Sequence, residues 1–409
     1  MASAATSLNA AQPVLSASVK PLRLLSLDVY RGLTIAGMIL VTDPGTYSAI
    51  YWPLRHAEWQ GWTITDMIFP SFLFIVGAAM TMSFASRTAR GETRGQLARH
   101  LLTRAGLLIA LGLFLNAFPL FHLETVRIPG ILQRIALCSA LGGMLYLTLL
   151  PSPERKNDST ENRRAWIIGA VAVAILIGYS LLLRYYPVPG FGPNRYDSLD
   201  NLAAVIDRSI IPIRHMWLYG TTPGHGVTYD PEGLLSTLPA TVNLLTGLLA
   251  GEYLRTRHTG ARKAALFALS GIILFVLGTT LGPWVPVVKR IWTTSFALIS
   301  VGFSLMAFAL SYWVLDVRRW RGWTRPLTLP GVVFGTNAIL AFGISTVITT
   351  LLDLIQARPG LSLHHYLHET IFLPWLSTVN SSLAYALFIV AVNLGIIAIF
   401  YRKKVFLRL

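Results

Sequence analysis

Apolar positions in this chain come in long blocks separated by short polar breaks, not in the stripes of a water-facing helix. Ten blocks stand out: Leu24–Val41, Thr63–Ser86, Leu101–Phe118, Gly130–Leu150, Trp166–Leu183, Leu234–Leu254, Ala264–Leu281, Ile291–Leu315, Val332–Leu352 and Ser382–Tyr401. A helix needs about 20 largely apolar residues to cross the hydrocarbon core of a bilayer. Each block therefore predicts a span, and the chain an all-α integral membrane protein of about ten helices. The first block is the shortest and carries Asp28 and Arg31 near its start.

Composition agrees. Of 409 residues, 54% are hydrophobic and 13% charged, against roughly 25% charged in soluble domains. The net charge of +16 would suggest nucleic acid in a soluble protein, but its placement says otherwise. With the N-terminus inside, 24 of the 34 basic residues fall on the N-terminal flank, the even-numbered loops and the C-terminal tail. That is the positive-inside pattern. It predicts both ends in the cytosol, with anionic membrane lipid rather than nucleic acid as the partner of this charge. Residues 1–22, rich in Ala and Ser, lack a signal peptide's basic start and compact apolar run. They predict a disordered cytosolic tail ahead of one membrane domain over 23–409. The single cysteine, Cys138, lies inside an apolar block and reads as a small core residue.

Loop mass accumulates on the outer side, where function tends to lie. The first outer loop is the densest, with Asp43-Pro44-Gly45 followed by Tyr51 to Trp62. His56 sits there among acids and aromatics. A neutral imidazole suits a general base, and Asp43 or Glu58 is placed to orient it. The bland alternative is an interfacial aromatic belt around an incidental histidine. Asp66 follows Thr63 by three residues and reads first as a helix cap, as does Asp230 with Pro231 and Glu232; these acids are also candidates to bind an amine or sugar hydroxyls. Gln133 and Arg134 lie just inside a span. Arg134 either snorkels to the interface or serves a site. The run His364-His365-Tyr366-Leu367-His368-Glu369 lacks the order of known zinc motifs, and no metal is assigned.

Several of these pieces together resemble a known family. They are Leu27–Gly32, Arg55–Thr63, Asp66–Pro70, Pro129–Arg134, Tyr229–Gly233 and Gly335-Thr336-Asn337. In this order they resemble the heparan-α-glucosaminide N-acetyltransferase family, in a bacterial-type form. The resemblance implies a transmembrane acyltransferase of the bacterial inner membrane. Acetyl would come from cytosolic acetyl-CoA and pass to an amino sugar or envelope glycan on the outer side. It assigns catalysis to His56, with Asp43 standing where the family often has asparagine. Glu58, Asp66, Gln133, Arg134, Asp230 and Glu232 are the substrate-binding candidates. A homodimer is compatible with the apolar surface. The rival class is a transporter or flippase of a polar envelope precursor, with Gln133, Arg134 and Asn337 along its path. The absence of a convincing internal repeat counts against it.

Overall fold

The computed structural model describes residues 24–150, 158–320, 322 and 325–407. The tail expected over 1–22 lies outside the described residues, as do Arg155, Lys156 and Arg321 of the basic loops. Every predicted span falls on helix. The helices are α1 (Leu25–Thr42), α2 (Ile64–Ala89), α3 (Arg94–Ala117), α4 (Ile131–Thr148), α5 (Asp158–Tyr185), α6 (Leu202–Ile210) and α7 (Thr237–Leu254). They continue with α8 (Gly260–Leu281), α9 (Thr294–Tyr312), α10 (Arg325–Thr336), α11 (Ala338–Leu354), α12 (Leu363–Leu367) and α13 (Thr378–Arg402). Sheet is confined, among the described residues, to two small hairpins, Thr221–Val227 and Gln356–Ser362.

The expectation of an all-α membrane protein with about ten spans is broadly met, with two differences. Among the described residues, eight helices are long and apolar enough to cross a membrane, and a ninth span exists if α10 and α11 count as one, bent by 88°. The other difference is α7, whose Asn243 and Glu252 dilute its apolar character. The reason is its position. It lies inside the bundle, buried along most of its length, so it needs no lipid-compatible surface. Gly77 of α2 faces the α7 backbone at Leu244, and Gly247 of α7 faces the α2 backbone at Phe74. A β-carbon on either glycine would overlap a carbonyl. The Thr81 hydroxyl adds a 3.2 Å bond to the Leu248 carbonyl. Contacts that rise together in sequence number mean that α2 and α7 run in the same sense, as the second and sixth elements of an alternating chain should.

The ninth predicted span is broken, not continuous. Asn337 stands at the bend between α10 and α11, is buried, and offers its amide to another segment. Its Nδ2 donates to the Val405 carbonyl at 3.1 Å and its Oδ1 accepts from Leu407 N at 3.1 Å. This side chain thereby satisfies the backbone of the segment after α13, while α10 packs glycine-close on α1.

Candidate active site

The loop between α1 and α2 is tied down on both sides of His56. The Thr63 hydroxyl donates to the Arg55 carbonyl at 2.8 Å, and Ala57 N donates to the Asp66 carboxylate at 3.1 Å. Asp66 is in the first turn of α2, where it completes a capping box with Thr63, whose N–H it accepts at 2.9 Å. The positive end of the helix favours the carboxylate. His56 Nδ1 lies 2.7 Å from Asp66 Oδ1. A ring lone pair facing an anion at that distance would be repulsive, so Nδ1 carries the proton and donates. The lone pair is then on Nε2, for which no hydrogen-bond partner is found among the described residues. The imidazole side chain is 48% exposed, while Asp66 is fully buried.

Lys289 completes the group. Its ammonium lies 3.0 Å from Asp66 Oδ1 and 3.0 Å from His56 Nδ1. It comes from the loop between α8 and α9, which is clipped to the loop between α1 and α2 by Gly61 N donating to the Val287 carbonyl at 2.8 Å. The Asp66 carboxylate thus accepts from His56, Lys289, Ala57 N and Thr63 N. The His56 pKa is pushed below the usual histidine range, first by loss of water around the ring, then by the Lys289 charge. Asp66 opposes this and Arg290 adds to it. An imidazole held neutral near pH 7, with its free nitrogen outward, is equipped to take a proton.

Beside this group stands a half-buried wall of aromatic rings. Trp59 meets Tyr229 edge-on at 4.9 Å. The Arg290 guanidinium lies over Trp217 at 5.5 Å and over Tyr229 at 5.4 Å, and its Nε donates to the Glu58 carbonyl at 3.2 Å. The Glu58 side chain is exposed next to His56. Asp230 and Glu232 are engaged elsewhere: Arg127 Nη2 reaches Asp230 Oδ1 and Glu232 Oε2, each at 2.5 Å, and Trp217 N donates to Asp230 at 2.8 Å. These acids hold the loop that carries the aromatic wall. Arg134 is 1% exposed; it donates to the Gly233 carbonyl at 3.0 Å and to Ser236 Oγ at 2.5 Å, and does not snorkel. Gln133 is buried against Gly112 and Gly130.

The expected partnership of Asp43 with His56 is corrected by the fold. Asp43 caps the end of α1 and accepts a 2.6 Å bond from the Thr349 hydroxyl of α11. Asp66, from α2, is the carboxylate on His56. Asp43 belongs to a second cluster. There His364 Nδ1 meets Asp353 at 2.8 Å, His364 Nε2 meets the Pro44 carbonyl at 3.1 Å, and His368 Nε2 meets Ser381 Oγ at 3.1 Å. The histidine run is thus tied into the protein by ordinary hydrogen bonds.

A cavity of about 360 Å³ opens toward the basic loops. Arg31, Arg87, His100 and Arg104 stand near that end, with Leu407 beside them. Its inner wall is apolar, including Ile35, Met38, Phe72, Val76, Leu132 and Ile135. Arg87 and Phe72 are about 22 Å apart along α2, and Phe72 and Asp66 about 9 Å. The cavity therefore traverses much of the bundle and ends about two helical turns short of the His56 group. Six helices and the segment after α13 contribute to it, which is why no contiguous run of sequence announced it. Lys289 was also missed as a site residue. The available signal was that Lys289-Arg290 breaks the positive-inside pattern on the outer side.

Comparison with known proteins bears on what this arrangement does. Residues 23–153 match the family profile described as heparan-alpha-glucosaminide N-acetyltransferase, catalytic. The human protein named heparan-alpha-glucosaminide N-acetyltransferase is 30% identical over 367 residues, covering 80% of this chain and 53% of that protein. The mouse protein of the same name is 29% identical over 362 residues, covering 78% and 53%. The chain spans about half the length of these curated relatives.

Proposed function

Because the chain belongs to the heparan-α-glucosaminide N-acetyltransferase family, we propose that it is a multi-pass transmembrane acetyltransferase. Acetyl-CoA is the donor and enters from the basic-loop end, which is cytosolic. An amino sugar, free or within an envelope glycan, is the acceptor on the opposite side. The membrane is the inner membrane of a bacterium. The observation that carries this reading is the alignment of two features: a cavity with a cationic mouth, and a neutral His56 beyond its apolar end.

Each part has a chemical reason. The phosphates of CoA are polyanionic, and guanidinium groups bind phosphate oxygens through charge-assisted forks. Arg31, Arg87 and Arg104 supply them. The pantetheine arm is long and weakly polar, and suits the apolar wall. His56 Nε2 removes a proton from the acceptor amine as its nitrogen attacks the thioester carbonyl. The carbon–sulfur bond breaks and CoA leaves as thiolate, back through the cavity. Asp66 stabilises the imidazolium formed on His56. In the two-step variant, Nε2 itself takes the acetyl group before the amine does. Glu58 provides a carboxylate for a sugar ammonium, and Trp59 an apolar ring surface beside it.

The test is direct. Purified protein is incubated with radiolabelled acetyl-CoA and glucosamine, and the products are separated. Acetylated sugar is expected, with transient, readily hydrolysed label on His56, trapped by rapid quenching at neutral pH without acceptor, only if the two-step route operates. His56→Ala should lower transfer by about 10²–10⁴-fold, the usual contribution of general acid–base catalysis, while CoA still binds. Failure of the wild-type protein to bind CoA or transfer acetyl would overturn the reading and favour transport.

A further inference from the structure

Lys289 occupies an unusual place for a cation. It is only 22% exposed and pairs with a fully buried carboxylate. It also lies against the nitrogen of His56 that does not face outward. An ammonium there has two consequences. It cannot share Nδ1 as a hydrogen-bond acceptor, because that nitrogen already donates to Asp66 at 2.7 Å. It does repel a second proton on the ring. The histidine thus faces an anion and a cation at once.

We infer that Lys289 is a positioning residue of this site, whose ammonium, seated on Asp66, keeps His56 from taking a second proton while Asp66 holds the ring as the Nδ1–H tautomer, so that Nε2 stays unprotonated. The inference rests on the reading of His56 as the transferring residue, but concerns the state of the ring and not the reaction.

The Asp66 side explains why the lysine is needed. A buried carboxylate beside a histidine ordinarily raises the histidine's proton affinity and keeps it charged. A charged imidazole has no lone pair to accept a proton or an acetyl group. With Lys289 bound to the same Oδ1, part of the carboxylate's charge is already neutralised. Asp66 then orients the ring without protonating it. The other charged groups around His56 fit this balance. Arg290 comes from the same loop as Lys289 and adds to its effect. Arg55 and Glu58 flank His56 in its own loop, and both are exposed.

The loop's construction supports a dedicated placement. Val288 N donates to Thr293 Oγ at 3.0 Å, and Thr293 N donates back to the Val288 carbonyl at 3.2 Å. Val288 itself is fully buried and bridges to Gly61. The residue before the lysine is therefore fixed from both sides, which aims the side chain at Asp66.

The experiment reads the ring, not the turnover. Full-length protein in detergent is treated with diethyl pyrocarbonate across a pH series. Carbethoxylation of the peptide carrying His56 is followed by mass spectrometry. This reagent attacks only unprotonated imidazole, so the midpoint reports the proton affinity of His56. Lys289→Met should move the midpoint up by about one pH unit or more, the scale for a charge within a few ångströms. Lys289→Arg should restore it toward wild type. Circular dichroism and a cooperative thermal transition in detergent show that the variants are folded. If Lys289→Met does not fold, Lys289→Gln replaces it with a neutral polar side chain. An unchanged His56 midpoint in a folded neutral variant overturns the inference. A shifted midpoint in a protein that transfers no acetyl upholds it while the functional reading falls.

Discussion

Two histidine–carboxylate pairs stand at the same end of the bundle, and they are built in opposite ways. In the first, His56 Nδ1 to Asp66 spans 2.7 Å; the imidazole side chain is 48% exposed and the acid fully buried. In the second, His364 Nδ1 to Asp353 spans 2.8 Å; the imidazole is 8% exposed and the acid 55%. The second nitrogen decides the difference. Nε2 of His56 has no partner among the described residues, whereas Nε2 of His364 meets the Pro44 carbonyl. A ring with acceptors on both nitrogens satisfies them fully only as the cation. Burial alone would lower the His364 pKa, but the Asp353 bond and charge, with the Pro44 and Gly45 carbonyls, outweigh it and raise it. His56 is shifted the other way. A short histidine–carboxylate distance therefore says little about catalysis. What matters is which partner is exposed and whether the far nitrogen is free.

The largest expected effect in this comparison is at Asp66. Asp66→Asn removes the anion that orients His56 and stabilises its protonated form. The catalytic rate should fall by about 10²-fold or more, with CoA affinity nearly unchanged, as measured by steady-state acetyl transfer and CoA binding. A variant that keeps its rate would erase the distinction between the two pairs.

A middle-sized effect is expected at His364, on stability and not on rate. Its folded pKa lies above the ordinary value of about 6.5. The stabilisation is then fully present below that value and is lost as pH rises through the raised folded pKa. Thermal unfolding of wild-type protein in detergent should show this decline above neutral pH. His364→Gln should weaken the fold by about 1–2 kcal/mol at pH 6 and flatten the decline, while acetyl transfer persists. Loss of transfer without loss of stability would place His364 in the chemistry.

The smallest effect is expected at Asp43. Burial pushes its carboxyl up to about 6, against the Thr349 hydrogen bond. Replacing it with asparagine keeps an acceptor for Thr349 and removes a charge that is costly to bury. Asp43→Asn should change stability by less than about 1 kcal/mol and leave the rate near wild type. A drop as deep as that of Asp66→Asn would move Asp43 into the reacting group.

These residues also show what was legible beforehand. Apolar blocks located every spanning helix, because lipid imposes its demand on each segment separately. The apolar signal is weakest where that demand is absent. Helix α7 is enclosed by other helices, and Asn337 breaks an otherwise apolar run because it satisfies the backbone of Val405 and Leu407. His56 was legible from its crowded loop. Asp66 was read as a cap, which it is; its bond to His56 depends on how the loop folds back, which spacing does not encode. Lys289 and the cavity are products of tertiary packing, assembled from parts of the chain distant from one another.

That distance has a consequence in time. Lys289 and Asp66 are 223 positions apart. A ribosome adding about 5–20 residues per second makes Asp66 and then needs roughly 10–45 s more to reach Lys289. During that interval the early helices are already being inserted, and His56 is held by a carboxylate with no cation beside it. The group of His56, Asp66 and Lys289 is complete only when the loop before α9 docks onto Gly61. A chain cut before the α8–α9 loop therefore carries His56 and Asp66 without Lys289.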